Sequence, residues 1–422
     1  MTQTITIEHL ARVEGHGGIT VELEGDKVNL VRFDIFEGSR MIEKLVRGRR
    51  FEDISQIVSR ICAICSVSHS LNALRATEQA FGVDVTPQTE LLRELMRCGE
   101  NIESHALHLF LLAAPDYLNY PSAIALAADK PEAVRLGLRL KRLGNAIQEA
   151  IGGRAVHPVN AVLGGFAKLP DVDTLIDLRN GLLHGAADCE AAIELLASLP
   201  PADFCHTDTA FAALRDGQIV VRWNGREDTI APADYRTLTN ERAVLMSNAK
   251  HSLYHGRPFM VGSLARLIVN PAKIAGNALR AMNRLGLGLP SDNPVDNNKA
   301  QAVELVAFVE QALRIVQRLL VGEGLQPESP VPVSPQAGTG TAVIEAPRGM
   351  LVHSYTYDES GCVTAADVIT PTAMNAADIE SHIRHVVETA AVKEVAPLTR
   401  NLEMLARAYD PCLSCSVHVI VK

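Results

Sequence analysis

Four of the eight cysteines in this 422-residue sequence fall into two Cys-x-x-Cys pairs, and thiols at that spacing can hold a metal ion or exchange disulfides. The first pair is Cys62-Ala63-Ile64-Cys65, preceded by Arg60. The second is Cys412-Leu413-Ser414-Cys415, preceded by Asp410-Pro411 and followed by Ser416-Val417-His418. Taken singly, each pair has plain readings: half of a structural zinc site, a redox dithiol, or no function at all. Together they offer four thiolates, a donor set that selects Zn, Cu(I), Fe and, in suitable geometry, Ni. Zinc ribbons keep their two pairs about 15–20 residues apart, because a local knuckle is enough for a structural ion. Here nearly the whole chain intervenes. Closing so long a loop is costly in chain entropy, which points to a scaffold that matters to the chemistry. The disulfide reading is the weaker one, since neither pair lies in a strand–helix–strand setting.

The remaining cysteines are scattered. Cys98 and Cys189 sit inside apolar helical patterns and read as buried, inert thiols. Eight cysteines form no dense disulfide framework in a chain of this length, which fits a reducing compartment. A net charge of −9 with no dense Lys/Arg run argues against a nucleic-acid or anionic-membrane surface. Arg47, Arg49 and Arg50 form too short a cluster to count as one. No apolar run approaches the ~20 residues of a transmembrane helix. The N-terminus alternates like a strand and lacks the basic and apolar regions of a secretory signal.

The elements that must position the two pairs follow from periodicity. Residues 4–7, 19–23 and 28–33 alternate as strands, interrupted by the glycine-rich Arg12-Val13-Glu14-Gly15-His16-Gly17-Gly18. Helical patterns run over about 52–80, 87–113, 131–151, 172–198, 240–253, 271–285 and 298–321, with Pro87, Pro131 and Pro271 as openers. A short β insertion, 217–223, breaks the run. Residues 322–342 have the composition of a loop, and a hairpin follows, 351–357 with 362–369. A last helical region, 376–408, leads into Asp410. The expectation is one unit over 1–422 in the α+β class, mainly α. A β region (1–50) and a helical core (51–321) come first. The loop (322–342) then leads to a C-terminal hairpin, helix and ligand motif (343–418) and a short tail (419–422).

Arg60 to Cys65 with His69 beyond, and Asp410 to His418, resemble the two ligand motifs of the NiFe-hydrogenase large subunit. Arg12-Val13-Glu14-Gly15-His16 is similar to that family's N-terminal motif. Glu345-Ala346-Pro347-Arg348-Gly349 and Pro371-Thr372-Ala373-Met374-Asn375 resemble two further segments near its active site. The motifs stand in the family's order from about residue 8 to 418, most like the cytoplasmic NADP-linked hydrogenase or sulfhydrogenase alpha subunit.

The resemblance implies that Cys62, Cys65, Cys412 and Cys415 bind nickel. Cys65 and Cys415 would also bridge to an iron that carries one carbon monoxide and two cyanides. Glu14 would be the first proton relay from Cys412, a role suited to a carboxylate whose pKa burial can raise. Arg348 would lie over the vacant metal position, held by Asp410, and Thr372 would donate to a cyanide. His69 would hydrogen-bond a bridging sulfur, and Glu43 with His418 would bind magnesium. Read alone, Glu14 is a surface carboxylate, Arg348 a salt-bridge partner and His69 a core histidine. One departure concerns the helix near 104, where many members carry an aspartate and this chain has Ser104, with Glu103 beside it.

The implied activity is reversible heterolytic cleavage of dihydrogen, with NAD(P) as the soluble electron acceptor. Electrons would leave through a small subunit holding iron–sulfur clusters, with flavin (FAD) and NAD(P) chemistry in diaphorase-type partners, because no Gly-x-Gly-x-x-Gly follows a strand here. A maturation protease and nickel-insertion proteins are implied as well. The protease would remove Val419-Ile420-Val421-Lys422. The resemblance implies a cytoplasmic protein. A dihydrogen-sensing regulatory relative would keep the metal site but tends to lack the tail. The quinone-site subunit of respiratory complex I shares the fold without the cysteines. A structural zinc protein with four cysteine ligands explains the thiolates but not Glu14, Arg348 or the motif order.

Overall fold

The computed structural model describes residues 2–416 except 26, 39–40, 245–246, 322–323 and 391–393. His418 and the tail 419–422 therefore lie outside the described residues. Three antiparallel strands open the chain: β1 (Thr2–Ile7), β2 (Gly17–Glu24) and β3 (Lys27–Ile35). Their alternation buries one face (Ile5, Ile19, Val21, Phe33), as period two requires. Short helices α1 (Ile42–Val46) and α2 (Ile54–Val58) lead to α3 (Ser66–Phe81) and α4 (Pro87–Leu107). A π-helical turn, His108–Ala113, continues α4 into α5 (Ala114–Tyr117). Beyond it come α6 (Ala123–Asp129), α7 (Pro131–Gly152), the small strands β4 (Ala161–Val162) and β5 (Gly165–Phe166), and α8 (Val172–Ala197).

A four-stranded sheet in the order β11-β6-β7-β8 follows. It contains β6 (Ala210–Arg215), β7 (Gln218–Trp223) and β8 (Arg226–Ile230). The pair β9 (Arg242–Ala243) and β10 (Lys250–His251) precedes β11 (Phe259–Met260), which lies parallel to β6. Then come α9 (Ser263–Val269), α10 (Gly276–Arg284) and α11 (Asn297–Leu320). The antiparallel sheet β12 (Gly338–Ala346), β13 (Gly349–Tyr357) and β14 (Val363–Ile369) leads into α12 (Pro371–Thr389) and α13 (Val395–Ala408).

Helices α4, α7, α8 and α11 form the bundle. Its closest crossing is made by glycines: a Cβ on Gly144 of α7 would lie 2.5 Å from both the Gly99 carbonyl and the Glu103 backbone nitrogen of α4. Helix α3 lies between this bundle and the β12–β14 sheet. Asn72 on α3 donates to the carbonyls of Ala342 and Leu351 at 3.2 and 2.9 Å. The fold is mainly helical with small sheets, as expected.

Several boundaries differ from the periodicity reading; the helix expected from Pro271, for one, starts only at Gly276. The pattern over 52–80 is no single helix, because the chain turns extended at Cys62 (φ −147°, ψ 143°) and α3 restarts after Cys65. Residues 240–253 form no helix among the described residues. Asn248 N–H there bonds the Ile35 carbonyl at 2.9 Å, and that tertiary pairing outweighs the helical period. Strand β12 starts within the expected loop, at Gly338. The last helical region is two helices, with Pro397 in the first turn of α13, where a missing N–H is tolerated.

Candidate metal centre

The two cysteine pairs meet. The four sulfurs lie within 4.8 Å of one another, and all four residues are buried. Cys62 Sγ is 3.3 Å from Cys412 Sγ, Cys65 Sγ is 3.5 Å from Cys415 Sγ, and the sulfurs of Cys412 and Cys415 are 2.8 Å apart. Each pair is presented by a helix boundary. Cys65 is the N-cap of α3, and the Cys65 N–H points at Cys62 Sγ from 3.3 Å. Cys412 opens a single 3₁₀ turn, Leu413–Cys415, after Asp410 has reversed the chain at φ +51°.

The N-terminal motif is laid alongside this turn. Leu413 N–H donates to the Glu14 carbonyl at 2.8 Å, and a parallel bridge pairs Glu14 with Cys412. Gly15 makes that approach possible. Its φ is +86°, and a Cβ there would sit 2.9 Å from both Leu413 Cβ and Ser414 N. The Glu14 carboxylate consequently lies 3.0 Å from Cys412 Sγ through Oε2 and accepts from Ser414 Oγ at 2.5 Å and Ser414 N–H at 3.1 Å. A buried ion network anchors the segment. Asp116 pairs with Arg12 and with Arg407 (2.7 and 2.8 Å), Arg407 donates to the Ala11 carbonyl at 2.8 Å, and Arg12 donates to the Leu112 carbonyl at 2.6 Å. The π-helical turn contains that last carbonyl.

Arg348 sits at the tip of the β12–β13 hairpin, where the Ala346–Gly349 register leaves Pro347 and Arg348 as the two turn residues. It is buried and donates Nε–H to the Asp410 carbonyl (2.7 Å) and Nη2–H to Asp410 Oδ1 (3.0 Å). Gln301 donates to Asp410 Oδ2 at 3.1 Å, so the carboxylate is held on both sides. Burial by itself would lower the guanidinium pKa, but Asp410 and the cysteines hold it well above its usual value. Arg348 Nη1 is buried with no hydrogen-bond partner among the described residues. Thr372, in the first turn of α12, accepts the Cys412 N–H at 3.0 Å. That leaves the hydroxyl proton for another acceptor.

The other expected residues divide. His69 lies one helical turn beyond Cys65, and its Nδ1 meets His353 Nε2 at 3.1 Å, a partner the sequence did not suggest. Glu43 is on α1, remote in sequence, and accepts the Val368 N–H at 2.9 Å. Ser104 is fully buried with its hydroxyl unpartnered among the described residues, and Glu103 is committed to Lys141 at 2.8 Å rather than to Arg348. Sequence reasoning missed Ser414, Gln301, His353 and Glu100. Glu100 is fully buried on α4, and the Ser68 N–H and hydroxyl both donate to it. Its burial pushes the carboxyl up to about 8, against those hydrogen bonds. A glutamate in phase with the apolar Leu92 and Met96, eight and four residues before it, was the available signal for it.

Four thiols so close cannot all ionise without a cation. Hydrogen bonds from Cys412, Cys415 and Cys65 pull the Cys62 thiol well below its usual pKa. Burial, with neighbouring thiolate charge, pushes Cys415 well above it. A soft cation bound by all four resolves this conflict. The unpartnered Nη1 of Arg348 further fits a centre that carries a hydrogen-bond acceptor on that side, so the residues present suit a thiolate-bound metal with non-protein ligands.

The comparisons with known proteins agree. The family model described as nickel-dependent hydrogenase matches residues 40–149 and 218–418, and a second, HoxL-like, matches 4–37. The chain is 38% identical to sulfhydrogenase 1 subunit alpha of Pyrococcus furiosus over 99% of this chain and 98% of that one. It is 27% identical to the beta subunit of the NAD-reducing hydrogenase HoxS of Cupriavidus necator, over 100% and 96%. Among solved structures it resembles an NAD⁺-reducing [NiFe]-hydrogenase in the H2-reduced state, with a TM-score of 0.85, 29% identity and 99% coverage of both chains. With four convergent cysteines and a match along almost its full length, the chain belongs to the nickel-dependent hydrogenase large-subunit family.

Proposed function

We propose that this chain cleaves and forms dihydrogen heterolytically, with Cys62, Cys65, Cys412 and Cys415 holding the metals and Glu14 and Arg348 acting beside them. The observation that carries the reading is the 3.0 Å contact between Cys412 Sγ and Glu14 Oε2 inside a four-sulfur cluster. Cys62 and Cys412 would bind nickel alone, and Cys65 and Cys415 would bridge nickel and iron. When bound, the nickel–iron centre with its carbon monoxide and cyanides supplies the Lewis-acidic, redox-active position at which dihydrogen is polarised.

The chain's own residues then handle the proton. A proton held on Cys412 Sγ passes to Glu14 Oε2, which the two bonds from Ser414 keep aimed at the sulfur. Asp410 fixes two arms of Arg348, so the third, Nη1, presents a preorganised positive charge where charge changes in the reaction. Thr372 orients the Cys412 backbone and would keep a hydroxyl proton for a cyanide, and His69 would donate to a bridging sulfur. Glu43 with His418 would bind magnesium.

Electrons need an exit. All eight cysteines are unpaired thiols, and the four outside the centre are scattered, so a partner small subunit with iron–sulfur clusters is the route we infer. The NAD-reducing relatives favour a nicotinamide acceptor, with flavin and NAD(P) in diaphorase-type subunits. Reduced thiols and such an acceptor favour the cytoplasm. Nickel-insertion proteins, and then a maturation protease that would remove residues 419–422, are the further partners we infer.

Metal analysis with infrared spectroscopy of the purified complex tests the reading. Nickel and iron with bands of metal-bound carbon monoxide and cyanide are expected. Zinc alone and no such bands, in a chain ending at His418, would overturn it in favour of a structural site.

A further inference from the structure

Behind His69 lie two side chains that the proposed chemistry does not use, and the three form a line. His69 Nδ1 is 3.1 Å from His353 Nε2, and His353 Nδ1 is 2.6 Å from the Tyr355 hydroxyl. All three are buried, His69 at 1% exposure and the other two at 0%. His353 and Tyr355 share one face of β13, two residues apart, and the strand crosses α3 at the level of His69. Water does not reach the line, so its protons must be placed on hydrogen bonds within the protein.

We infer that His353 and Tyr355 are positioning residues that set the tautomer of His69, holding its proton on Nε2 and so making that nitrogen a donor toward the four-cysteine centre. Part of this rests on the metal-centre reading above, but the tautomer itself follows from counting protons. Two arrangements satisfy both hydrogen bonds when the histidines are neutral. In one, Tyr355 O–H donates to His353 Nδ1, His353 Nε2–H donates to His69 Nδ1, and His69 keeps its proton on Nε2. In the other, every donor is reversed. The phenol then accepts from His353, and its own proton is buried with nothing to receive it, since its one hydrogen bond among the described residues is to His353. A buried donor without an acceptor forfeits its hydration with no return, which selects the first arrangement.

Two further observations agree. A separation of 2.6 Å is short for an N–H donor but ordinary for a hydroxyl donor. Burial, then the neighbouring His69, holds His353 well below its usual pKa, so it is neutral with one proton to place. The direction of His69 gives the tautomer its consequence. His69 is four residues after Cys65 on α3, hence on the same face, and helical side chains lean toward the N-terminus, here toward Cys65. A donor on Nε2 would lower electron density at a sulfur it meets, whereas a lone pair there would repel one.

The test uses the full chain in its complex with ¹⁵N-labelled histidine, the His69 signals being assigned by their loss in H69Q. The expected spectrum has a protonated Nε2 and an unprotonated Nδ1. Y355F removes the donor that fixes His353, so the His69 proton should become shared between both nitrogens, and the carbon monoxide and cyanide bands should shift. H353L should do the same. H353Q, whose amide can still donate to His69 Nδ1, should restore the Nε2 proton. A protonated Nδ1 in the unsubstituted chain overturns the inference, as does an unchanged Nε2 proton in both folded Y355F and H353L. Absence of the diatomic bands from the unsubstituted complex would overturn the metal reading alone, because the nitrogen shifts report the tautomer either way.

Discussion

The protein buries cysteines in two places, and only at one of them is a thiol pulled below its usual pKa. In the helix bundle, Cys98 of α4 is fully buried and Cys189 of α8 nearly so, and burial pushes both thiols up, Cys189 to about 12. At the meeting of the chain ends, Cys62 is equally buried, yet its thiol is pulled well below its usual pKa. Burial therefore decides nothing about a cysteine's role. What differs is the company: three more sulfurs within 4.8 Å and the buried guanidinium of Arg348. The two places also hold together differently. Glycine contacts close the bundle, whereas buried ion pairs fasten the chain ends, Asp116 between Arg12 and Arg407 and Asp410 against Arg348.

The sharpest way to break the comparison is to exchange serine into each place. C62S should abolish nickel and iron retention and all dihydrogen turnover, while C98S should keep full metal content by elemental analysis. Equal metal loss in both would mean that burial, not donor geometry, is what matters. Next in size, D116A leaves Arg12 and Arg407 buried without their shared partner. We expect a loss of about 3–5 kcal/mol in chemical denaturation, the range for breaking a buried ion pair. R348K keeps the charge but cannot reproduce the forked contact with Asp410 or place a donor at Nη1. Its kcat should fall about 10²–10³-fold with metals retained, as when a preorganised donor is lost.

On the bundle side, G144A forces a Cβ against α4 and should cost about 1–3 kcal/mol without changing metal content. The last prediction concerns Glu100, whose folded pKa of about 8 exceeds the ordinary glutamate value of 4.5. Between those values the folded chain keeps a proton that the unfolded chain has released, so stability falls as pH rises. The slope for the metal-free chain should be up to about 1.4 kcal/mol per pH unit. E100Q should flatten it, and an unaltered pH profile would contradict the assignment.

Of the site, the paired cysteines were legible from residue choice alone, whereas Glu14 and Arg348 were singled out only by the resemblance to the hydrogenase family. Helices α4, α7, α8 and α11 were legible from period alone, since each buries one continuous face. Ser414, Gln301 and His353 were not, because a serine, a glutamine and a strand histidine are ordinary until their neighbours are known. The break at Cys62 was hidden by apolar residues that continue the helical period on both sides of it. The 240–253 segment failed for the opposite reason: its partner, the Ile35 carbonyl at the end of β3, is distant in sequence.

The sequence by itself determined the donor types, the family and the bulk of the helices, because these depend on side-chain chemistry and on local periodicity. The tertiary structure alone decided that two pairs at opposite ends of the chain form one centre. Only a folded chain could bring Glu14 to 3.0 Å from Cys412 and turn Arg348 so that one of its arms has no partner among the described residues. Such contacts depend on long loops being closed by the packing of everything between them, and no local pattern encodes that closure.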